Sequence, residues 1–496
     1  ALGETGVVLA SLGHLYPGIN ATATDTNEAA ALKGSALMAD VIKTAVANRR
    51  RVPKAPITLR IDGVVIELTP SDVQAAMRRA RDTRRPYNVA RTTFAKDLLS
   101  RLAARMADKM RLNLDPETLQ GLVADLREER DVKREINLCW MPRSPEQLIS
   151  ELLTNPGILA AAAPSLSAQE RACLLRAPGD PWTVSDIPLL DEAAELLGDI
   201  VTGNGAANSA QAAERAREVA FAAQTLADSG PAAAMITAEQ YVDRFAGPDA
   251  YVPVAERAGA DRTWAYGHVV VDEAQELTPM QWRTIMRKCP SKSMTIVGDP
   301  AQRSAPGAAG SWSDALSPHV QDRFRLTELT INYRTPQAIM DTASLALRLS
   351  GTQDTTPKSV RPGRWPVEVV ELDDLDADLV ATLAREADLI EFGTIGLIAG
   401  PADLKHAVAA IEAATVINPL LADGRVRASA YTPTQVKGLE FDSIVLCQPT
   451  SALADSANPA HDLYVAMTRP TQRLVVASTM PLPPFLAQAI DANLVE

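Results

Sequence analysis

Short β-branched runs separated by helical segments fill the second half of the chain, and most border a group of polar residues. The runs are His268 to Val271, Met294 to Val297, Glu328 to Ile331, Val367 to Val370, Ile395 to Ala399, Ser443 to Leu446 and Arg473 to Ala477. Strands alternating with helices build βαβ units, and these assemble into parallel sheets covered on both faces. Ligands of such sheets bind at the carboxyl ends of strands, so chemistry is expected just after each run.

The first run ends in Asp272-Glu273-Ala274-Gln275. At a strand end Asp272 can hold Mg²⁺ through water while Glu273 orients or deprotonates the water that attacks a γ-phosphate. Two acids opening a helix would equally serve its dipole. The second run leads into Gly298-Asp299-Pro300-Ala301-Gln302, which sets a neutral amide where a γ-phosphate could be sensed. The third leads into Asn332-Tyr333-Arg334-Thr335, a flat ring for a base beside a guanidinium for phosphate. Val436-Lys437-Gly438-Leu439-Glu440-Phe441-Asp442 places a carboxylate in a glycine turn before another strand. Tyr464-Val465-Ala466-Met467-Thr468-Arg469 has helical spacing that leaves Arg469 free to meet a phosphate as an arginine finger.

In order and spacing, these segments resemble motifs II to VI of the UvrD-like superfamily 1 helicases, strongly over about residues 265 to 480 and weakly over 1 to 28. The resemblance implies a cleft between two RecA-like domains that binds ATP with Mg²⁺. It implies Asp272 on the metal, Glu273 on water, Gln302, Arg334 and Arg469 on the γ-phosphate, Tyr333 on the base, and Gly438 and Glu440 at the ribose. The phosphate loop GxxxxGK[ST] occurs nowhere in the 496 residues, so the chain by itself is expected to bind nucleotide poorly and to be inactive. Since the family places that loop earlier in the chain, and since Ala1 is not Met, the sequence is expected to be the carboxy-terminal part of a longer NTP hydrolase. The family's single-strand-stacking aromatics after GDxxQ are also missing: Gln302 is followed by Arg303-Ser304-Ala305-Pro306-Gly307, with no ring before Trp312.

Composition narrows the setting. With 49 basic and 61 acidic residues the formal charge is −12, and no apolar run approaches the length of a membrane span. Four scattered cysteines suggest neither a disulfide partner nor a structural metal, so a reducing, cytoplasmic compartment is expected. The charge is uneven, however. Residues 43 to 111 carry 17 Lys plus Arg against 6 Asp plus Glu. Two readings fit that segment: a solvated basic face, or a contact with nucleic acid or an acidic protein. Within it, Asp62-Gly63 between Ile57-to-Ile61 and Val64-to-Leu68 predicts a hairpin, and Thr69-Pro70-Ser71-Asp72 predicts a helix start. Residues 177 to 214 contain no Lys or Arg but hold Asp186, Asp191, Glu192, Glu195 and Asp199. Their small-residue centre, 198 to 209, reads as a mobile loop, either a solvated connection or an acidic arm.

A narrower resemblance rests on Leu2 to Ala10, on Trp182-Thr183-Val184-Ser185-Asp186-Ile187-Pro188-Leu189-Leu190-Asp191-Glu192-Ala193, and on the short interval between Arg334 and Gly438. These are similar to the actinobacterial HelD family, helicase-like factors that bind RNA polymerase core. The resemblance implies an insertion in the first RecA-like domain that opens the polymerase clamp and sends an acidic loop toward its active site, with ATP or GTP hydrolysis used to release nucleic acid and recycle stalled polymerase. The implied organisation is an α/β fold: residues 1–28 in the first RecA-like domain, 29–250 the mainly helical insertion with the acidic loop at about 177–214, 251–325 the rest of the first domain, and 326–496 the second. A UvrD/Rep-type DNA translocase and a binding module without turnover are the competing readings.

Overall fold

A computed structural model describes residues 8–113, 115–200, 254–352, 355–454, 456 and 458–494. The chain divides into two units, residues 1–265 and 266–496. Residues 8–28 fall in the first of these units. The expected strand at Gly6 to Ala10 lies largely outside the described residues, and Val8 to Ala10 are not in a strand.

In the first unit helices dominate, as the pattern predicts. The exception is the hairpin β1 (Ile57–Ile61) and β2 (Val64–Leu68), paired from Ile57 with Leu68 to Ile61 with Val64. Asp62 and Gly63 both have positive φ, 48° and 80°, the handedness a two-residue hairpin turn needs. Leu59, Ile61, Ile66 and Leu68 point inward against the helix Tyr87–Met110, whose Phe94, Leu98 and Leu102 are buried. Thr69 caps the helix Pro70–Asp82 in a reciprocal box with Asp72.

Residues 21–26 tie to 183–186. Val184 N donates to Ala23 O at 3.1 Å, and Thr183 Oγ1 to Asp25 Oδ2 at 2.6 Å. A 3₁₀ turn at Val184–Asp186 then runs into the helix Ile187–Leu197. The acidic-loop candidates Asp186, Asp191, Glu192, Glu195 and Asp199 lie among the described residues. Asp186, Asp191 and Glu192 are buried in these elements, while Glu195 and Asp199 are exposed. The apolar residues Ile187, Leu189, Leu190, Ala193 and Leu197 line a core, which outweighs the signal from charge composition. The rest of that expected loop, 201–214, lies outside the described residues.

The second unit is α/β. Strands β3 (Val269–Val271) and β4 (Met294–Ile296) pair in parallel, as do the short β5 (Ile331–Asn332) and β6 (Lys358–Ser359). Strands β7 (Glu368–Glu371), β8 (Gly393–Ile398), β9 (Val426–Tyr431), β10 (Phe441–Cys447) and β11 (Pro470–Ser478) form one parallel sheet in the order β7-β11-β10-β8-β9. Alternate residues feed two cores. Ile395, Leu397, Val445, Cys447, Val475 and Ala477 meet the helices Leu375–Ile390 and Leu404–Ile417. Ile398, Ile444, Leu446, Leu474 and Val476 meet Gln337–Leu349, Pro459–Met467 and Pro484–Leu494. A sheet buried on both faces reads as continuous apolar runs, which is why these strands were visible in the sequence. The run Glu328 to Ile331 yields only its last residue to a strand, and β9, rich in polar positions, was not foreseen.

Candidate functional site

β3 delivers Asp272 and Glu273 to the start of a 3₁₀ turn, Ala274–Glu276. Glu273 takes the left-handed conformation, φ 50°, and its amide donates to Asp272 Oδ1 at 2.9 Å. Gln275 holds the next strand end in place: its Nε2 donates to Glu273 Oε2 at 2.7 Å, and its Oε1 accepts Asp299 N at 3.1 Å. Only glycine fits between them. A methyl on Gly298 would lie 2.3 Å from Gln275 Oε1 and 2.9 Å from the Trp312 ring. Gly298→Ala should therefore lower the stability of this unit by about 1–3 kcal/mol, a cost typical of overpacking, with the urea midpoint as the measurement. An unchanged midpoint would contradict the close packing.

Asp299 anchors the following turn by accepting Ala301 N at 3.0 Å and Gln302 Nε2 at 3.0 Å. Gln302 Oε1 in turn accepts the Arg469 guanidinium. Arg469 follows the helix Pro459–Met467 and is buried, with Nε donating to Val465 O at 3.1 Å. Burial pushes its guanidinium below the usual range, Glu273 draws it back, and Arg334 adds to the lowering. Arg469 is thus enclosed and engaged with Gln302. Tyr464, one turn earlier, is also enclosed; burial raises its phenol, and Asp299 raises it further.

Arg334 and Glu440, assigned to different parts of a nucleotide, lie 3.0 Å apart as a half-exposed ion pair. Asn332 Oδ1 accepts the amides of Arg334 and Thr335 at 2.8 and 3.1 Å, fixing the turn that leaves Tyr333 78% exposed. Gly438, φ 71°, makes the turn before Glu440. Glu440 and Arg469 immediately precede β10 and β11, whose first residues, Phe441 and Pro470, are paired. Asp272, Gln302 and Arg334 follow the carboxyl ends of strands, whereas Glu440 and Arg469 sit at amino ends.

Sequence reasoning missed two supports. Glu276 accepts Ser304 N and Ala305 N at 3.0 and 2.9 Å and pairs with Lys437 at 2.5 Å, joining three of the motif segments. Near them the buried Asp462 carboxyl is raised by burial, against the pull of its hydrogen bond from Ser456 and of Lys437. Arg361, after β6, donates from Nη1 to Arg334 O at 2.7 Å and accepts Gln337 N at 2.9 Å, bracing the Tyr333-Arg334 turn from both sides. A guanidinium in an unremarkable Arg-Pro-Gly-Arg run gave no signal. Arg334, Gln302, Arg469, Glu273 and Glu440 are brought together in one unit; the acidic candidates Asp186, Asp191, Glu192, Glu195 and Asp199 belong to the other. Among the described residues, no cluster of His, Cys, Asp and Glu forms a ready metal cage, and no helix is long and apolar enough to cross a membrane.

Residues 187–361 match a family model described as an AAA domain, a stretch that contains Asp272, Glu273, Gln302 and Arg334 but ends before Glu440 and Arg469. Among solved structures, the chain is similar to the C-terminal domain of a possible DNA helicase from Lactobacillus plantarum WCFS1, with 19% identity, TM-score 0.24, and coverage of 33% of this chain and 96% of that one. It is also similar to the arterivirus nonstructural protein 10 helicase in complex with DNA, with 17% identity, TM-score 0.26, and coverage of 46% of this chain and 43% of that one. No curated protein matches it in sequence.

Proposed function

We propose that this chain belongs to a helicase-like, nucleotide-hydrolysing factor of the HelD type that binds RNA polymerase and helps release its nucleic acid. The observation that carries the nucleotide reading is the continuous chain of contacts from Glu273 through Gln275, Asp299 and Gln302 to Arg469. Such a chain can pass the state of one strand end to another. The donor set suits a magnesium nucleotide: an exposed carboxylate at Asp272, an acid beside it, two guanidiniums, and the open ring of Tyr333. ATP or GTP with Mg²⁺ would supply the scissile phosphoanhydride. Asp272 would hold the metal, Glu273 would orient and deprotonate water, Tyr333 would stack on the base, and Glu440 would reach the ribose. Arg469 and Arg334 would exchange their present partners, Gln302 and Glu440, for phosphate oxygens.

The polymerase part of the proposal rests on the resemblance of residues 182–193 and on the short interval between Arg334 and Gly438. The test is made on the protein as its cell produces it, by retention on RNA polymerase core alongside NTP hydrolysis with and without single-stranded DNA. The expected result is retention, with hydrolysis indifferent to single strands. Glu273→Gln should then keep retention while losing at least about 10²-fold in hydrolysis, the usual weight of a general base. Hydrolysis driven by single-stranded DNA without retention would replace this reading with a UvrD/Rep-type translocase. Retention and release unaffected by a dead Glu273→Gln enzyme would make it a binding module.

A further inference from the structure

The basic segment does not act as a block, because the fold uses up much of it. Arg91 donates to Trp140 O at 2.7 Å and to Asn137. Arg101 pairs with Asp97 at 2.8 Å, Arg105 with Asp72 at 2.6 Å, and Arg49 with Glu151 at 2.6 Å. Arg50 lies over the Trp140 ring. Lys43, Arg51, Lys54, Arg60, Lys96, Lys109 and Arg111 stay exposed at scattered positions, whereas four bases fall within eight residues at the end of the helix Pro70–Asp82 and in the turn after it: Arg78, Arg81, Arg84 and Arg85 are exposed and have no carboxylate partner among the described residues, although the exposed Asp82 lies among them in sequence. Arg79 beside them reaches only Asp97, at 3.3 Å.

Arg78 and Arg81, three residues apart, are surface neighbours on the helix. Arg81 is also close enough to lower the Arg50 guanidinium, after the larger effect of burial. The helix carboxyl end favours cations near Arg79 and Arg81, but that field fades within the last turn and gives no reason for Arg84 and Arg85. Five arginines in eight residues against one carboxylate, Asp82, on a chain whose total is −12, match a partner with closely spaced fixed negative charge. All are arginines, whose planar fork suits phosphate oxygens.

We propose that this face binds double-stranded DNA through its phosphates. Single strands are held by charge plus aromatic stacking, and the rings of this segment, Tyr87 and Phe94, are buried against Trp140 at 5.3 and 5.2 Å. A convex helix face carrying the charge fits against the wide major groove of B-form DNA, whereas the major groove of A-form RNA is too narrow to admit it. The proposal is independent of nucleotide hydrolysis.

The experiment is fluorescence-anisotropy binding of the protein to a labelled duplex DNA, the matching single strand, a duplex RNA of the same sequence, and polyglutamate. Arg78→Gln/Arg81→Gln/Arg85→Gln is compared with the charge-matched Arg127→Gln/Arg130→Gln/Arg134→Gln. Tightest binding to duplex DNA is expected. The first triple variant should weaken it by about tenfold or more at low salt and reduce the salt slope by about 3, near 0.9 per lost phosphate contact, while the control keeps both. Equal losses in the two variants, or tighter binding of polyglutamate, single strand or duplex RNA, would overturn the proposal. Because all six side chains are outside the core, matched thermal unfolding curves separate lost binding from lost fold.

Discussion

Asp186→Ala should destabilise the helical unit by about 3–5 kcal/mol, the cost of leaving buried charges without their partner. Asp186 is fully enclosed. Its Oδ2 accepts Thr183 N at 3.0 Å and Arg176 Nη1 at 2.8 Å, and its Oδ1 lies 2.8 Å from Lys33 Nζ, close enough to pair charges though not aligned as a hydrogen bond. Lys33 is itself 2% exposed and keeps one anion, Asp25 at 2.6 Å, and the Thr183 hydroxyl at 3.4 Å when Asp186 is removed. Arg176 would retain Pro181 O and the Trp182 ring, neither of them an anion. Urea unfolding of the variant measures the loss. Asp199→Asn, at an exposed position, should stay within about 0.5 kcal/mol of the parent. The contrast bears on function. If removing Asp186 impairs nucleic-acid release from polymerase while Asp199→Asn does not, the acid acts through the fold and not as an arm. An Asp186→Ala variant as stable as the parent would return Asp186 to the list of available acids.

The same residues show what a sequence can and cannot display. The run from Val184 to Ala194 carries several acids and no base, and its charge suggests an exposed loop. Its apolar positions at helical spacing were equally visible, and they decided the outcome. The bases that neutralise it lie outside the run: Arg176 shortly before it, and Lys33 and Arg262 far away in sequence, so the run itself shows acids alone. Strands β8, β10 and β11 were legible because burial on both faces gives each a continuous apolar stretch, such as Ile444 to Cys447 and Leu474 to Ala477, whereas β9, with Arg427 and Ser429 between small residues, was not. Candidate site residues were legible as types at fixed spacing: Asp272, Glu273, Gln302, Arg334, Glu440 and Arg469. Their present partners were hidden, because Gln302–Arg469 and Arg334–Glu440 join positions more than a hundred residues apart. Arg361 and Glu276 were hidden for the same reason, since each acts on backbone groups that carry no sequence signature.

Glu386→Ala should cost the second unit about 3–5 kcal/mol by a related route, with a consequence for the site. Glu386, on the helix Leu375–Ile390, is fully enclosed and grips Arg473 of β11 with both oxygens: Nε to Oε2 at 2.8 Å and Nη2 to Oε1 at 2.9 Å. Its Oε2 also accepts Ser443 Oγ of β10 at 2.7 Å. Arg473 further donates to Glu368 of β7 at 3.0 Å and lies 4.7 Å over the Trp365 ring. Burial alone would lower the Arg473 guanidinium, yet Glu386 and Glu368 together hold it above its usual range. Truncating Glu386 strands the Ser443 hydroxyl in the core and leaves Arg473 only a partly exposed partner. Replacing both partners, Glu386→Leu with Arg473→Met, removes the charges together and should recover most of the loss. Buried pairs replaced by apolar residues are often neutral or stabilising. Urea unfolding followed by Trp365 fluorescence reads both variants, and a double variant no better than Glu386→Ala would show that packing, not charge, sets the cost. Arg473 and Ser443 stand three and two residues beyond the paired starts of β11 and β10, which Arg469 and Glu440 immediately precede. The single variant should therefore loosen Arg334–Glu440 and Gln302–Arg469 as well, so its nucleotide affinity should fall even at temperatures where it remains folded, and the double variant should restore it.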